Sequence, residues 1–174
     1  MRSIQLFIAT SLDGYIARTS GEVDWLFADQ DYGYTEFFKQ VDTLLMGRKT
    51  YEQVLSFGEY PYLEKQGYVF SKTQPQQRDE NVEFVSCDWV NFLNRLCQVD
   101  GKNIWLVGGS EIIRFCLQHG FVDELILSIH PMILGNGIPL ISHDPTLETM
   151  LKLKDTQTYE TGLLQVSYTL QKRS

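Results

Sequence analysis

The stretch Ile104-Trp105-Leu106-Val107-Gly108-Gly109-Ser110-Glu111 decides the fold, because an apolar run stops at two glycines and then continues as a new pattern. Four consecutive apolar residues are typical of a strand that is covered on both faces. The glycines allow a sharp turn and a close backbone approach, and residues 110–117 carry apolar side chains at helical spacing. Free N–H groups at such a helix start can bind an anion, although the same pattern also serves as an ordinary tight connection.

A second junction of this kind follows the apolar strand at residues 43–46. Gly47 comes first, then Arg48, Lys49 and Thr50, and a helical run continues to Leu55. Cations at a helix N-terminus oppose the macrodipole, so a purely structural reason for two of them is hard to find. An arginine can donate two parallel hydrogen bonds to a phosphate, which makes this junction a second candidate anion site.

Strand and helix patterns alternate along the rest of the chain. Strands are predicted at residues 3–10, 11–17 (a turn with a short extended piece), 67–70, 82–85, 104–107, 122–129, 150–154, 157–160 and 163–170. Further helices are predicted at residues 32–41 and 89–97, the second capped by Asp88, with a glycine-rich loop at 134–140. The alternation predicts one α/β domain over residues 1–174, in which ligand-binding loops follow the carboxyl ends of the strands.

Composition excludes several classes of function. The 174 residues include 43% hydrophobic and 21% charged residues, with a net charge of −7 and no basic run, so nucleic acid is not an expected partner. Neither a membrane-spanning stretch nor a signal-peptide pattern is present in the sequence, so no membrane association is expected. The three cysteines have no paired spacing and the three histidines are scattered, which predicts a reduced, cytoplasmic protein without a metal site.

The ordered set of motifs resembles the dihydrofolate reductase superfamily, and most closely the riboflavin-biosynthesis reductase domain and its stand-alone relatives. The motifs span almost the whole chain and are Ala9 with Ser11-Leu12-Asp13-Gly14-Tyr15-Ile16-Ala17, Gly47-Arg48-Lys49-Thr50-Tyr51-Glu52, Ser71-Lys72, Val107-Gly108-Gly109, Val122-Asp123-Glu124-Leu125 and His130-Pro131 with Leu134-Gly135-Asn136-Gly137. The resemblance implies a three-layer fold, with a mostly parallel twisted central sheet flanked by helices and an antiparallel C-terminal hairpin.

The resemblance also implies NADPH as the cofactor. Backbone groups of Ala9 and Ile16 would contact the nicotinamide carboxamide, and the Gly108–Gly109 peptide would be cis. Arg48, Lys49 and Thr50 would lie at the 2′-phosphate and pyrophosphate. The full cofactor set is Ala9, Gly14, Ile16, Gly47, Arg48, Lys49, Thr50, Ser71, Lys72, Val107, Gly108, Gly109, Ser110 and Glu111. Glu111 is an acid at a position that is commonly basic in bacterial folate reductases, so Arg48 would carry most of any preference for NADPH.

Hydride transfer requires no protein nucleophile, because the cofactor supplies the reactive group. A proton could come from water, from Asp31 as the first carboxylate candidate, or from Glu36 as the second. Trp25, Phe27 and Tyr34 could form the wall of a pocket for a flat heterocycle.

These features predict an NADPH-dependent reductase of a small heterocyclic or carbonyl substrate, such as a pyrimidine or pterin relative. One alternative is a catalytically silent nucleotide-binding domain. Another is a strict 5-amino-6-(5-phosphoribosylamino)uracil reductase of riboflavin synthesis. The resemblance and the strand pattern of the tail also predict a homodimer.

Overall fold

The computed structural model describes residues 1–73, 75 and 77–171. Ten strands are present in this part of the chain: β1 (Ile4–Ser11), β2 (Tyr15–Ala17), β3 (Val41–Gly47), β4 (Gln66–Phe70), β5 (Val82–Val85), β6 (Asn103–Gly108), β7 (Glu124–His130), β8 (Ile138–Pro139), β9 (Leu151–Thr158) and β10 (Leu164–Leu170). The helices are α1 (Tyr34–Lys39), α2 (Arg48–Ser56), α3 (Trp89–Gln98) and α4 (Ser110–Gln118).

Eight strands form one sheet in the order β5-β4-β3-β6-β1-β7-β10-β9. The pairs from β5 to β7 are parallel, and β10 pairs with β7 and β9 in antiparallel register. Strand β6, which ends at the paired glycines, therefore lies near the centre of the sheet between β3 and β1. The predicted α/β class, with its mostly parallel sheet and its antiparallel C-terminal hairpin, is confirmed.

Helices cover both faces of the parallel part of the sheet. On one face, α3 and α4 pack against Leu6, Leu45 and Leu106, which are at most 1% exposed. On the other face, α1 and α2 pack against Leu44, Met46 and Trp105. The side chains alternate between the faces along each strand, so neighbouring apolar residues supply two separate cores.

The C-terminal hairpin lies outside this helical cover. Every residue of β9 is exposed, and Leu153 on this edge strand is 56% exposed. An exposed edge strand is a possible site of pairing with another chain, but self-association remains a prediction here. None of the described helices is both long and apolar enough to cross a membrane.

Several predicted boundaries need correction. Helix α1 is shorter than the predicted 32–41, because Tyr32 and Gly33 have left-handed backbones (φ 50 and 81) and β3 already begins at Val41. The two predicted tail strands before the hairpin turn form one continuous strand, β9. The glycine-rich loop contains the short strand β8, which pairs with β2.

The sequence correctly places Asp88 at the N-cap of α3, but the capping hydrogen bond expected from its side chain is wrong. Asp88 stands at the N-cap position, but its backbone is left-handed and its carboxylate makes no capping bond to the described helix. It accepts a hydrogen bond from the Asn91 side-chain amide instead, at 2.8 Å.

Candidate cofactor and substrate site

The predicted cofactor residues gather at one edge of the sheet. Strands β1, β3, β4 and β6 are parallel, so the segments that follow them emerge at the same edge. The structure places there residues from the four groups found in the sequence, at Ala9 to Ile16, Gly47 to Thr50, Ser71 to Lys72 and Val107 to Glu111.

The two strand-glycine-helix junctions lie side by side. Met46 pairs with Gly108, so α2 and α4 begin next to each other. A Cβ atom built on Gly47 would lie 3.7 Å from the backbone N of Gly109, and one built on Gly109 would lie 3.3 Å from Thr50 Oγ1. The Gly108–Gly109 peptide is cis, as the resemblance implies. Two helix N-termini thus share one cradle lined by glycine backbone, which suits a diphosphate group.

The charges beside the cradle differ between its two sides. Arg48 donates a hydrogen bond to Glu52 one turn along α2, at 2.9 Å, and this i,i+4 pair is a structural reason for an arginine here that the sequence analysis did not consider. Its side chain is still 38% exposed, so it is accessible to a ligand. Lys49 is exposed beside it, whereas exposed Glu111 lies in the first turn of α4.

The turn between β1 and β2 is tied to the glycine-rich loop by Asp13. Its carboxylate accepts hydrogen bonds from the Ser11 hydroxyl at 2.7 Å, the Leu134 N–H at 3.0 Å and the Gly135 N–H at 2.8 Å. The bond from Ser11 is the main cause that lowers the pKa of Asp13. The sequence indicates only a turn at Asp13, because its two partners in the loop lie more than 120 residues away.

The start of α4 is attached to the same loop. Ser110, which is 8% exposed, donates its hydroxyl hydrogen to the Pro139 carbonyl. The Gly14 carbonyl accepts a hydrogen bond from the Leu140 N–H at 2.9 Å. Residues predicted for the nicotinamide side and for the pyrophosphate are therefore held by one loop.

A cleft of about 320 Å³ opens between the ends of β4 and β5 and the starts of α3 and α4. Its walls include Lys72, Glu111 and Arg114, together with the rings of Trp89 and Phe115, whose centroids are 5.1 Å apart. The Lys72 ammonium lies over the Trp89 ring at 6.0 Å from its centroid. The cleft adjoins the glycine cradle through Glu111, and it has the aromatic and cationic groups that suit an adenosine end of a dinucleotide.

Two of the three predicted substrate residues converge on a histidine. Trp25 and Phe27 lie against His130 at the end of β7, with ring centroids 5.3 and 4.9 Å from the imidazole. Trp25 is 5% exposed, and its indole N–H has no hydrogen-bond partner among the described residues. Tyr34 lies apart from them on α1, 5.7 Å from the Trp105 ring. Burial is the main cause that raises the pKa of Tyr34, so its phenol stays neutral.

The two candidate proton donors lie at the start of α1 and on its exposed side. Asp31 accepts hydrogen bonds from the Thr35 hydroxyl and from the Thr35 N–H, and the bond from the hydroxyl is the main cause that lowers its pKa. Glu36 forms an exposed ion pair with Lys39 at 2.6 Å. Both assignments remain predictions, and the structure provides each carboxylate with a local structural partner.

A buried polar group near this wall was missed in the sequence. Ser128 is 6% exposed and pairs in register with Ala9 on β1. The Gln165 side-chain N–H donates to Ser128 Oγ and to the Tyr32 carbonyl, both at 3.0 Å. The sequence analysis includes His130 in a motif of the resemblance and among three scattered histidines, and gives it no role in the site. The available signal is its position directly after the predicted strand 122–129.

The fold and the paired glycine junctions define the dihydrofolate-reductase-like class of α/β protein. The chain belongs to the family of the RibD C-terminal domain, whose model matches residues 2–66 and 64–165. Two Bacillus subtilis (strain 168) proteins are similar along nearly their full length. YwjB is 41% identical over 162 residues, covering 91% of this chain and 92% of YwjB, and YyaP is 39% identical over 179 residues, covering 96% and 94%.

Solved structures show the same fold. The crystal structure of a proposed riboflavin biosynthesis protein from Shewanella sp. PV-4 matches with a TM-score of 0.84 and 31% identity, covering 97% of this chain and 99% of that one. A Thermotoga maritima diaminohydroxyphosphoribosylaminopyrimidine deaminase/5-amino-6-(5-phosphoribosylamino)uracil reductase matches with a TM-score of 0.73 and 18% identity. The match covers 97% of this chain but 56% of the Thermotoga protein, so this chain corresponds to one part of it.

Proposed function

We propose that this protein is an NADPH-dependent reductase of a small heterocyclic or carbonyl substrate. The observation that carries the proposal is the shared cradle of Gly47 and Gly109, where two helix N-termini meet beside Arg48. Glycine at both places leaves room for a ligand phosphate to approach the backbone, and the two helix dipoles favour its negative charge. The family membership supports the same interpretation.

In this proposal the backbone N–H groups at the start of α4 bind the pyrophosphate, and Arg48 with Lys49 binds the 2′-phosphate. Backbone groups of Ala9 and Ile16 bind the nicotinamide carboxamide. The cleft lined by Lys72 receives the adenosine, with Ser71 directly before Lys72 in the chain. The cofactor supplies the hydride when bound, so the task of the chain is to orient the two reactants and to exclude water.

Trp25 and Phe27 form the proposed substrate wall, with Tyr34 farther along the same side of the sheet. A buried N–H without a partner costs free energy, on the order of 1–3 kcal/mol, unless a ligand or a water accepts its hydrogen bond. The Trp25 indole N–H is such a group among the described residues, but it has almost no accessible surface, so we assign Trp25 to the wall by its ring and not by its N–H. For the proton we favour water over Asp31 and Glu36, because Asp31 is held ionised by Thr35 and Glu36 faces solvent beside Lys39.

Titration of the purified chain with NADPH and NADH, followed by cofactor fluorescence, tests the binding half of the proposal. We expect saturable binding of NADPH, and an absence of binding of both cofactors at millimolar concentration would contradict it. Turnover is tested by NADPH oxidation with a panel of pyrimidines, pterins and quinones. Binding without oxidation of NADPH by any member would favour the silent nucleotide-binding alternative. Turnover of the ribosylated aminouracil alone would favour the strict riboflavin-pathway reductase.

Glu111→Gln is expected to tighten the binding of NADPH and NADH alike, by roughly two- to fivefold at low salt. The reason is that the acid in the first turn of α4 repels the pyrophosphate, which both cofactors contain. Glu64→Gln removes an exposed acid just before β4, at the opposite edge of the sheet, and serves as the matched control. Equal dissociation constants for Glu111→Gln and the unmodified chain would place the pyrophosphate elsewhere.

A further inference from the structure

His130 is a buried histidine whose hydrogen bonds define its proton. The residue is 3% exposed, its Nδ1 lies 3.2 Å from the Ser128 carbonyl oxygen, and the Phe27 N–H donates to its Nε2 at 3.1 Å. A backbone N–H can only donate, so Nε2 must present a lone pair. Nδ1 then carries the proton and donates a hydrogen bond to the Ser128 carbonyl oxygen. The imidazole in this structure is neutral, with one defined tautomer.

The segment that His130 contacts connects β2 to α1. Residues 18–31 have no helix or strand of their own, yet they place Trp25 and Phe27 against the end of β7. The ends of the segment have other attachments, since Gln53 donates to the Gly21 carbonyl and Tyr32 donates to Asp29. The bond from Phe27 to His130 links the middle of the segment to the sheet.

We infer that neutral His130 is a positioning residue that fastens residues 18–31, and with them the aromatic wall of Trp25 and Phe27, to the carboxyl end of β7. Protonation of the ring releases the middle of this segment, because Nε2 then becomes a donor that faces the Phe27 donor. That the wall contacts substrate rests on the proposed function, but the fastening itself does not. A sequence distance of 103 residues separates the two partners.

The surroundings of the ring favour its neutral form. Burial is the main cause that lowers the pKa of His130, and the carbonyl groups of Ser128 and Thr10 oppose this effect. The acids on the neighbouring elements are bound to other groups or face solvent. Asp13 accepts hydrogen bonds from the Leu134 and Gly135 N–H groups, and Asp24 binds Arg18. Asp29 accepts a hydrogen bond from Tyr32, and Glu160 is exposed on the hairpin turn. A lowered pKa means that the folded state binds fewer protons than the unfolded state. The stabilisation is therefore complete above about pH 6.5 and is lost as the pH falls below it.

Hydrogen exchange of the Phe27 amide, measured by NMR and corrected for intrinsic exchange, tests the inference without any cofactor or substrate. In the unmodified chain we expect protection at pH 7.5 that decreases by about tenfold at pH 5, the loss expected for one hydrogen bond. His130→Gln keeps an acceptor that does not titrate, so its protection should be the same at both pH values. His130→Leu removes the acceptor, and its Phe27 amide should be unprotected at both.

Protection of Phe27 that stays constant between pH 7.5 and pH 5 in the unmodified chain would overturn the inference. So would protection that persists in His130→Leu. If His130→Leu does not fold, the comparison of the unmodified chain with His130→Gln decides, because equal pH dependence in these two excludes His130 as the titrating group. Since NADPH is absent from the experiment, a failure here is distinct from a failure of the proposed function.

Discussion

Gly108→Ala is expected to weaken NADPH binding by about a hundredfold or more. Gly108 has φ 127, a backbone conformation that alanine adopts only under strain of about 1–3 kcal/mol. A Cβ there would lie 3.5 Å from the Ile8 Cδ1 atom, which is ordinary contact, so the backbone rather than the space is limiting. Relief of this strain in the variant would rotate the peptide groups at the start of α4, so that their N–H groups would no longer point toward the phosphate. Loss of two hydrogen bonds to a charged phosphate, about 3 kcal/mol, corresponds to this hundredfold change.

The matched control is Gly120→Ala, at the other end of α4. Gly120 also has a positive φ, 68, and a Cβ there would meet no described atom within 4 Å. Both variants should therefore lower the free energy of unfolding in urea, while only Gly108→Ala should raise the dissociation constant for NADPH in a fluorescence titration. Equal affinity in Gly108→Ala and Gly120→Ala would show that the glycine cradle does not bind the cofactor.

Arg48→Ala is expected to raise the dissociation constant for NADPH by about 10- to 100-fold, with less than about a threefold change for NADH. A hydrogen bond between charged groups contributes about 1.5–3 kcal/mol, and NADH lacks the 2′-phosphate that Arg48 is proposed to bind. In the unliganded chain Arg48 binds Glu52, so a phosphate must compete with this exposed ion pair, which is worth little.

Arg95→Ala is the control for Arg48→Ala. Arg95 lies in the last turn of α3, which is at the opposite edge of the sheet from the cradle because the helix runs back against the parallel strands. The Arg95→Ala substitution removes one positive charge, as Arg48→Ala does, at a place away from the proposed cofactor site. Unchanged NADPH affinity in Arg48→Ala would remove this residue from the cofactor site, and an equal loss for NADPH and NADH would assign it to the pyrophosphate instead.

The sequence predicted the two glycine junctions better than the elements around them. A glycine pair after an apolar strand is a local signal, and both Gly108–Gly109 and Gly47 are found where strands end and helices begin. The helix start near Tyr32 was misplaced, since a left-handed tyrosine has no reliable local signature. The side-chain cap predicted for Asp88 failed for a similar reason, because its left-handed backbone was not predictable from residue type.

Pairing across long sequence distances was beyond the reach of local patterns. Asp13 binds residues 121 and 122 positions away, and Phe27 binds His130 across 103 positions. These contacts depend on which strands are neighbours and in what register. Both are decided by the packing of the whole sheet.

The sequence by itself determined the α/β class, the family resemblance and the positions of the two strand-glycine-helix junctions, because alternating apolar patterns and glycines act through local backbone preferences. Only the tertiary structure decided that the two junctions share one cradle, that Asp13 binds the glycine-rich loop, and that Trp25 and Phe27 lie against His130. The physical reason is that hydrophobic patterning specifies which face of an element is buried, whereas the neighbour across that face is selected by the packing of the entire chain.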